Sequence, residues 1–194
     1  MKKLLAISFV ILTSFALAAQ IGLSGTIKTN ASFANLRIAA FLMDRSGNPS
    51  RELVSVAPNS GNFNLSLPDA APAAANLSTL SSEALDWPGL LGNVKITGSA
   101  RAARVMLRGY DDTDKNGVFG NNDKLLETTL TRGRGNLILI YAEAKFRVQG
   151  DRGFDLTLEA GWNLVAIELG KTIETKRVDK LDNVQLELFA TPGN

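Results

Sequence analysis

The residues whose types and spacing imply specific chemistry lie in one run, Asp112-Thr113-Asp114-Lys115-Asn116-Gly117-Val118-Phe119-Gly120-Asn121-Asn122-Asp123. Oxygen-bearing side chains occupy its first, third, fifth and twelfth places, with glycine sixth. Calcium is a hard cation that gathers about six to eight oxygens, and alternate residues on a curling chain converge on one point. In this reading Asp112, Asp114 and Asn116 supply side-chain oxygens, Val118 supplies its backbone carbonyl, and a water beside Gly120 fills the ninth place. Asp123 closes the shell, and Gly117 permits the sharp reversal that a bulkier residue resists. The competing reading is a metal-free Asx-turn hairpin, because Asp, Asn and Gly are ordinary turn residues.

The run resembles the EF-hand calcium loop and its relatives in dockerins and bacterial surface repeats, a resemblance confined to this dozen residues. It implies Ca2+ as the bound ion. The twelfth residue is Asp123, one methylene shorter than the Glu usual in that family, which implies a weaker site. The flanks argue for strands around the loop rather than two helices. Ala103 to Tyr110 alternates like a strand, and Lys124 to Leu130 is short and rich in threonine.

The chain contains no histidine and no cysteine. That removes Ser-His-Asp and Cys-His catalysis and nearly all zinc and copper sites. It also removes disulfides and any lipid-anchoring cysteine. The start Met1-Lys2-Lys3, the apolar run Leu4 to Leu17 and the small-x-small pattern Ala16-Leu17-Ala18 predict a secretory signal peptide over residues 1–18. The domain is then 19–194, exported to the periplasm, cell envelope or extracellular space, with no transmembrane segment in the mature chain. Without Lys2 and Lys3, the 21 basic residues fall to the same number as the 19 acidic ones. Nucleic-acid binding thereby loses its usual electrostatic support.

Along the chain, Ile21 to Lys28 alternates with period two, whereas Leu36 to Met43 is apolar on both faces, as a strand covered on two sides should be. Arg45 to Pro49 reads as a turn and Leu53 to Val56 as a strand. The alternation is cleanest at Gly61 to Pro68, where Phe63, Leu65 and Leu67 should face a core. Gly25-Thr26-Ile27 followed by Gly61-x-Phe63-x-Leu65 loosely resembles transthyretin-like and carboxypeptidase-regulatory-like β-sandwich modules, which implies a non-catalytic domain of an exported protein. Asp69 to Ala75 reads as a long loop, and Ser81 to Leu85 as the start of a short helix that Pro88 ends. Strand signals resume at Val94 to Thr97, at Asn136 to Ala142 and at Phe146 to Val148. They continue at Phe154 to Leu158, Trp162 to Ile167, Thr172 to Thr175 and Val184 to Leu188. The segment Gly161-Trp162-Asn163-Leu164-Val165 resembles one that recurs in exported bacterial β domains.

Many short strands separated by turns, with little helix, predict an all-β antiparallel sandwich. Two small sub-domains dividing near residues 69–92 are the alternative arrangement. Trp87 and Trp162 could stack on sugars, though a tryptophan at a turn is more often a core plug. Asp155 and Glu159 could suggest glycoside hydrolysis, but they sit on the polar face of an alternating strand. Arg101, Arg104 and Arg108 could meet phosphate or acidic glycans. The reading that covers most of these features is an exported, non-enzymatic envelope or surface protein. It carries a calcium loop and acts through contacts with an envelope or surface-layer protein. A carbohydrate-binding module with a glycan partner is the alternative, and a carboxylate-dependent glycoside hydrolase is the third class.

Overall fold

The computed structural model describes residues 21–44, 46–82, 85–99, 101–178 and 181–189. The expected signal peptide lies outside them, as do Glu83 and Ala84 of the expected short helix. Strands dominate. The first four are β1 (Gly22–Thr29), β2 (Leu36–Met43), β3 (Pro49–Val56) and β4 (Asn62–Ser66). After the two-residue β5 (Ser78–Thr79) come β6 (Lys95–Gly98) and the long β7 (Arg101–Asp111). Beyond the acidic loop are β8 (Lys124–Leu125), β9 (Glu127–Arg132) and β10 (Gly135–Ala142). The chain finishes with β11 (Phe146–Gln149), β12 (Asp155–Leu158), β13 (Gly161–Leu169), β14 (Ile173–Arg177) and β15 (Leu181–Phe189).

The main sheet runs β3-β2-β7-β10-β9-β15-β1-β4, with β13 and β14 continuing from β10. β10 is where it divides. β13 pairs with β10 from Asn136 to Ala142, so it takes one whole edge. The other edge is shared: β9 pairs at Gly135 and Asn136, and β7 from Leu139 to Ala142. Two layers separate from this fork, β3-β2-β7-β10-β13-β14 and β9-β15-β1-β4. Between them lies the largest core, where Leu23, Leu65 and Leu186 pack with Ile38, Leu42, Val105, Leu107 and Leu139. This is the sandwich that the strand spacing predicts. Strands on both sides of residues 69–92 share it, since β2 pairs with β7 and β1 with β15.

One ladder departs from the antiparallel expectation. β1 and β15 run parallel, with Thr26 opposite Gln185. Parallel neighbours cannot be joined by a hairpin, and these two stand at opposite ends of the described chain, so no local signal could announce the pairing. Gly25 makes it fit. A Cβ there would lie 2.2 Å from the Val184 carbonyl oxygen and 3.0 Å from the Phe63 ring.

The outer face of the β2-β7-β10-β13 layer carries two covers. A small sheet, β12-β11-β6, lies over β10 and β13. There Phe146, Val148, Phe154, Leu156 and Leu158 pack with Ile140, Val165 and Ile167. Over β2 and β7, Ala39, Phe41, Met43 and Tyr110 form a second, smaller cluster. β2 therefore feeds Ile38, Ala40 and Leu42 inwards and Ala39, Phe41 and Met43 outwards. Burial on both faces explains why its sequence lacks alternation. The two clean triplets, Phe63/Leu65/Leu67 and Phe154/Leu156/Leu158, are all buried.

Candidate metal centre

The acidic run follows β7 directly and returns into β8 and β9, so a strand enters and a strand leaves. Its backbone turns through the left-handed region at Lys115 (φ 59°) and Gly117 (φ 80°). The Asp112 carboxylate organises that turn. Its Oδ1 accepts from Asn116 N at 3.1 Å and its Oδ2 from Gly117 N at 2.9 Å. Asp114 Oδ1 accepts a second bond from Asn116 N at 3.1 Å. From the far end, Asp123 reaches back to accept from Thr113 N and Gly120 N, each at 2.8 Å.

These bonds bring together three of the five residues that the spacing singles out. One carboxylate oxygen each from Asp112, Asp114 and Asp123 lie within 4.8 Å of one another. Asp112 is 4 % exposed. No Lys or Arg among the described residues forms an ion pair with any of the three. Asn116 is placed differently: its side-chain oxygen accepts from Val118 N at 2.7 Å, and its Nδ2 donates to Asp114 Oδ2 at 2.8 Å. Val118 projects an exposed side chain. Asp111 faces the other way, accepting from Asn35 N at 3.0 Å. Lys115 is exposed.

The loop is docked on the sheet by residues that its own spacing does not reveal. Phe119 packs edge-on against Phe41 (centroids 5.2 Å) and Tyr110 (5.3 Å). Its N–H donates to Glu52 Oε2 at 2.8 Å. Ser55 on β3 donates from its hydroxyl to the Gly117 carbonyl at 3.2 Å. Arg37 on β2 donates to that same hydroxyl oxygen from Nε at 3.2 Å and Nη2 at 3.0 Å. Burial pushes the Tyr110 hydroxyl pKa up, opposed by its hydrogen bond to Ser55. An aromatic residue inside a largely polar loop is a readable signal for Phe119. Glu52, Ser55 and Arg37 carry none, because only the β2-β3-β7 pairing brings them near.

Compared with family models, curated proteins and solved structures, the chain matches none.

The other sequence candidates separate cleanly. Trp87 is buried against Phe154, with centroids 6.5 Å apart, so it serves as a core plug. Trp162 is half-buried, packs edge-on to Tyr141 at 5.1 Å, and donates its indole N–H to the Pro68 carbonyl at 2.9 Å. Asp155 pairs with Arg147 across β11–β12, and Glu159 with Lys145 at 2.7 Å. The hydrogen bond from Arg147 lowers the Asp155 pKa, the opposite of what a general acid needs. Among the described residues, no helix is long and apolar enough to cross a membrane.

Proposed function

We propose that the protein is an exported, non-enzymatic β-sandwich component of the cell envelope or surface. Its Asp112–Asp123 loop holds Ca2+, and it acts through contacts with another protein. One observation carries the metal reading. A nearly buried carboxylate, Asp112, stands with Asp114 and Asp123 inside 4.8 Å, without an ion-paired base among the described residues. Crowded carboxylates repel one another and favour a cation between them. The donors are all hard oxygens, which suits calcium rather than a thiophilic or imidazole-seeking metal. Asp112, Asp114 and Asp123 would hold the ion by their carboxylates, with Asn116 and the Val118 carbonyl completing the set. Calcium would cross-link a long loop in a chain that has no disulfides.

The N-terminal pattern supports export, and the absence of histidine and cysteine supports a non-catalytic role. Recovery of the native protein from its own cells tests the export and the protein contact. N-terminal sequencing should start near Ala19, and cross-linking of the envelope fraction should trap the protein with a partner. An intact Met1 in the mature product, or a protein that is never cross-linked, contradicts the proposal. One observation favours a glycan as the alternative partner: Tyr141 and Trp162 line a cleft of about 360 Å3 together with Asp69, Glu159 and Arg177. Glycan-array binding that disappears in Trp162→Ala would move the assignment to a carbohydrate-binding module.

A further inference from the structure

Three arginines of β7 invite comparison. Arg101 donates to Glu143 Oε1 and Oε2 at 3.0 and 3.1 Å. Arg108 donates to the Leu126 carbonyl at 3.1 Å and to Glu127 at 3.3 Å. Arg104, between them, makes no hydrogen bond or ion pair among the described residues. It lines a groove of two lobes, of about 320 and 150 Å3, which share Arg104, Asp86, Trp87 and Ile140. Asp86 likewise has no bonded partner among the described residues.

The topology creates this groove. The β7–β10 ladder ends at Val105 opposite Leu139, and the β9–β10 ladder reaches only to Asn136 opposite Thr131. Beyond those points the two layers part, and the larger lobe opens between Met106, Leu130 and Ile138. On the outer face, the small sheet covers β10 on one side and Phe119 covers Tyr110 on the other. Arg104 lies between the two covers. The smaller lobe is walled by Leu80 and Leu85.

The lining is part apolar and part polar, and the smaller lobe also holds Asp44, whose carboxylate is taken up by Ser46 N and Asn48 N. That leaves one cation, Arg104, and one anion, Asp86, without a bonded partner among the described residues, a pair complementary to a small molecule that carries both charges and an apolar group. A carboxylate accepts two parallel bonds from a guanidinium. An ammonium offers three donors to a carboxylate such as that of Asp86. A hydrocarbon or aromatic group gains by leaving water for a wall of Trp87, Met106 and Ile138. We propose that the groove binds the zwitterion of an apolar α-amino acid, its carboxylate on Arg104, its ammonium on Asp86 and its side chain in the larger lobe. Asp86 disfavours phosphates and dicarboxylates, and Arg104 disfavours simple amines. No residue of the acidic loop lines the groove.

Isothermal titration of the protein with L-leucine and L-phenylalanine tests it, with 4-methylpentanoate and 3-methylbutylamine as single-charge comparators. At least one amino acid should bind, with both comparators at least tenfold weaker. Arg104→Gln and Asp86→Asn should each weaken amino-acid binding at least tenfold. Both residues are exposed, so the variants should keep the wild-type melting curve. If either variant unfolds, the wild-type comparison with the single-charge ligands decides alone. No heat with either amino acid at millimolar concentration would overturn the proposal. So would a comparator that binds as tightly as its amino acid, or folded variants that bind as well as wild type.

Discussion

Leu65→Ala should destabilise the protein by about 2–5 kcal/mol, the usual cost of truncating a fully enclosed leucine. Leu65 sits on β4 opposite Leu23, completely buried between the two layers. The loss combines removed apolar surface with a cavity that stiff neighbours cannot close. Leu156→Ala should cost a similar amount, although its core is a different one, under the small β12-β11-β6 sheet. Asn64→Ala, one residue away on the exposed face, should fall within about 0.5 kcal/mol of wild type. Urea unfolding with an unchanged m-value measures all three. A loss below about 0.5 kcal/mol at Leu65, the range of a surface substitution, would mean that the strand faces were misassigned.

Phe119→Ala should cost about 3 kcal/mol, the lower end for a phenylalanine truncation, because the ring is only partly buried. Two edge-on contacts, to Phe41 and Tyr110, are lost together, and such aromatic pairs contribute beyond the area they bury. The consequence reaches the carboxylates. Phe119 lies between the two ends of the acidic cluster, so without its anchor Asp123 should be held less firmly against Thr113 and Gly120. Calcium affinity should fall in Phe119→Ala and stay near wild type in Val118→Ala, whose side chain is exposed. Thermal melts with and without calcium separate the two effects. Equal stability of the two variants would show that the loop does not depend on this anchor.

Much of this fold is legible in the chain. Period-two alternation places Leu65 and Leu156 inwards because one face of each strand meets a core and the other meets water. Leu36 to Met43 lacks alternation for the complementary reason, burial on both faces. The parallel pairing of β1 with β15, and the fork at β10, cannot be read locally, since each joins segments far apart in sequence. At the acidic loop, spacing singles out Asp112 and Asp114, because an alternating run on a tight turn brings its oxygens together, and Asp123, which reaches back from the twelfth place to Thr113 N and Gly120 N. The same spacing gives no hint of Glu52, Ser55 or Arg37, which reach the loop only through sheet pairing. The amide of Asn116 bonds locally, to Val118 N and to Asp114, contacts of the turn that the spacing by itself does not announce.

Whether Asp112, Asp114 and Asp123 hold calcium is decided most directly by melting the protein after EGTA treatment, with and without added Ca2+. With Asp rather than Glu in the twelfth place, and if the chain is exported as proposed, the site should bind weakly, at roughly 10⁻⁴–10⁻³ M. At about a hundredfold excess over that constant, binding to the folded state alone adds about 2.7 kcal/mol. Magnesium should substitute poorly, since its small octahedral shell is hard to build from this loop. Asp112→Ala and Asp114→Ala should abolish the calcium-dependent rise in Tm, and Lys115→Ala should retain it. A wild-type melting curve that calcium leaves unchanged, from protein confirmed metal-free at the start, would contradict the calcium site and leave the loop a hydrogen-bonded turn.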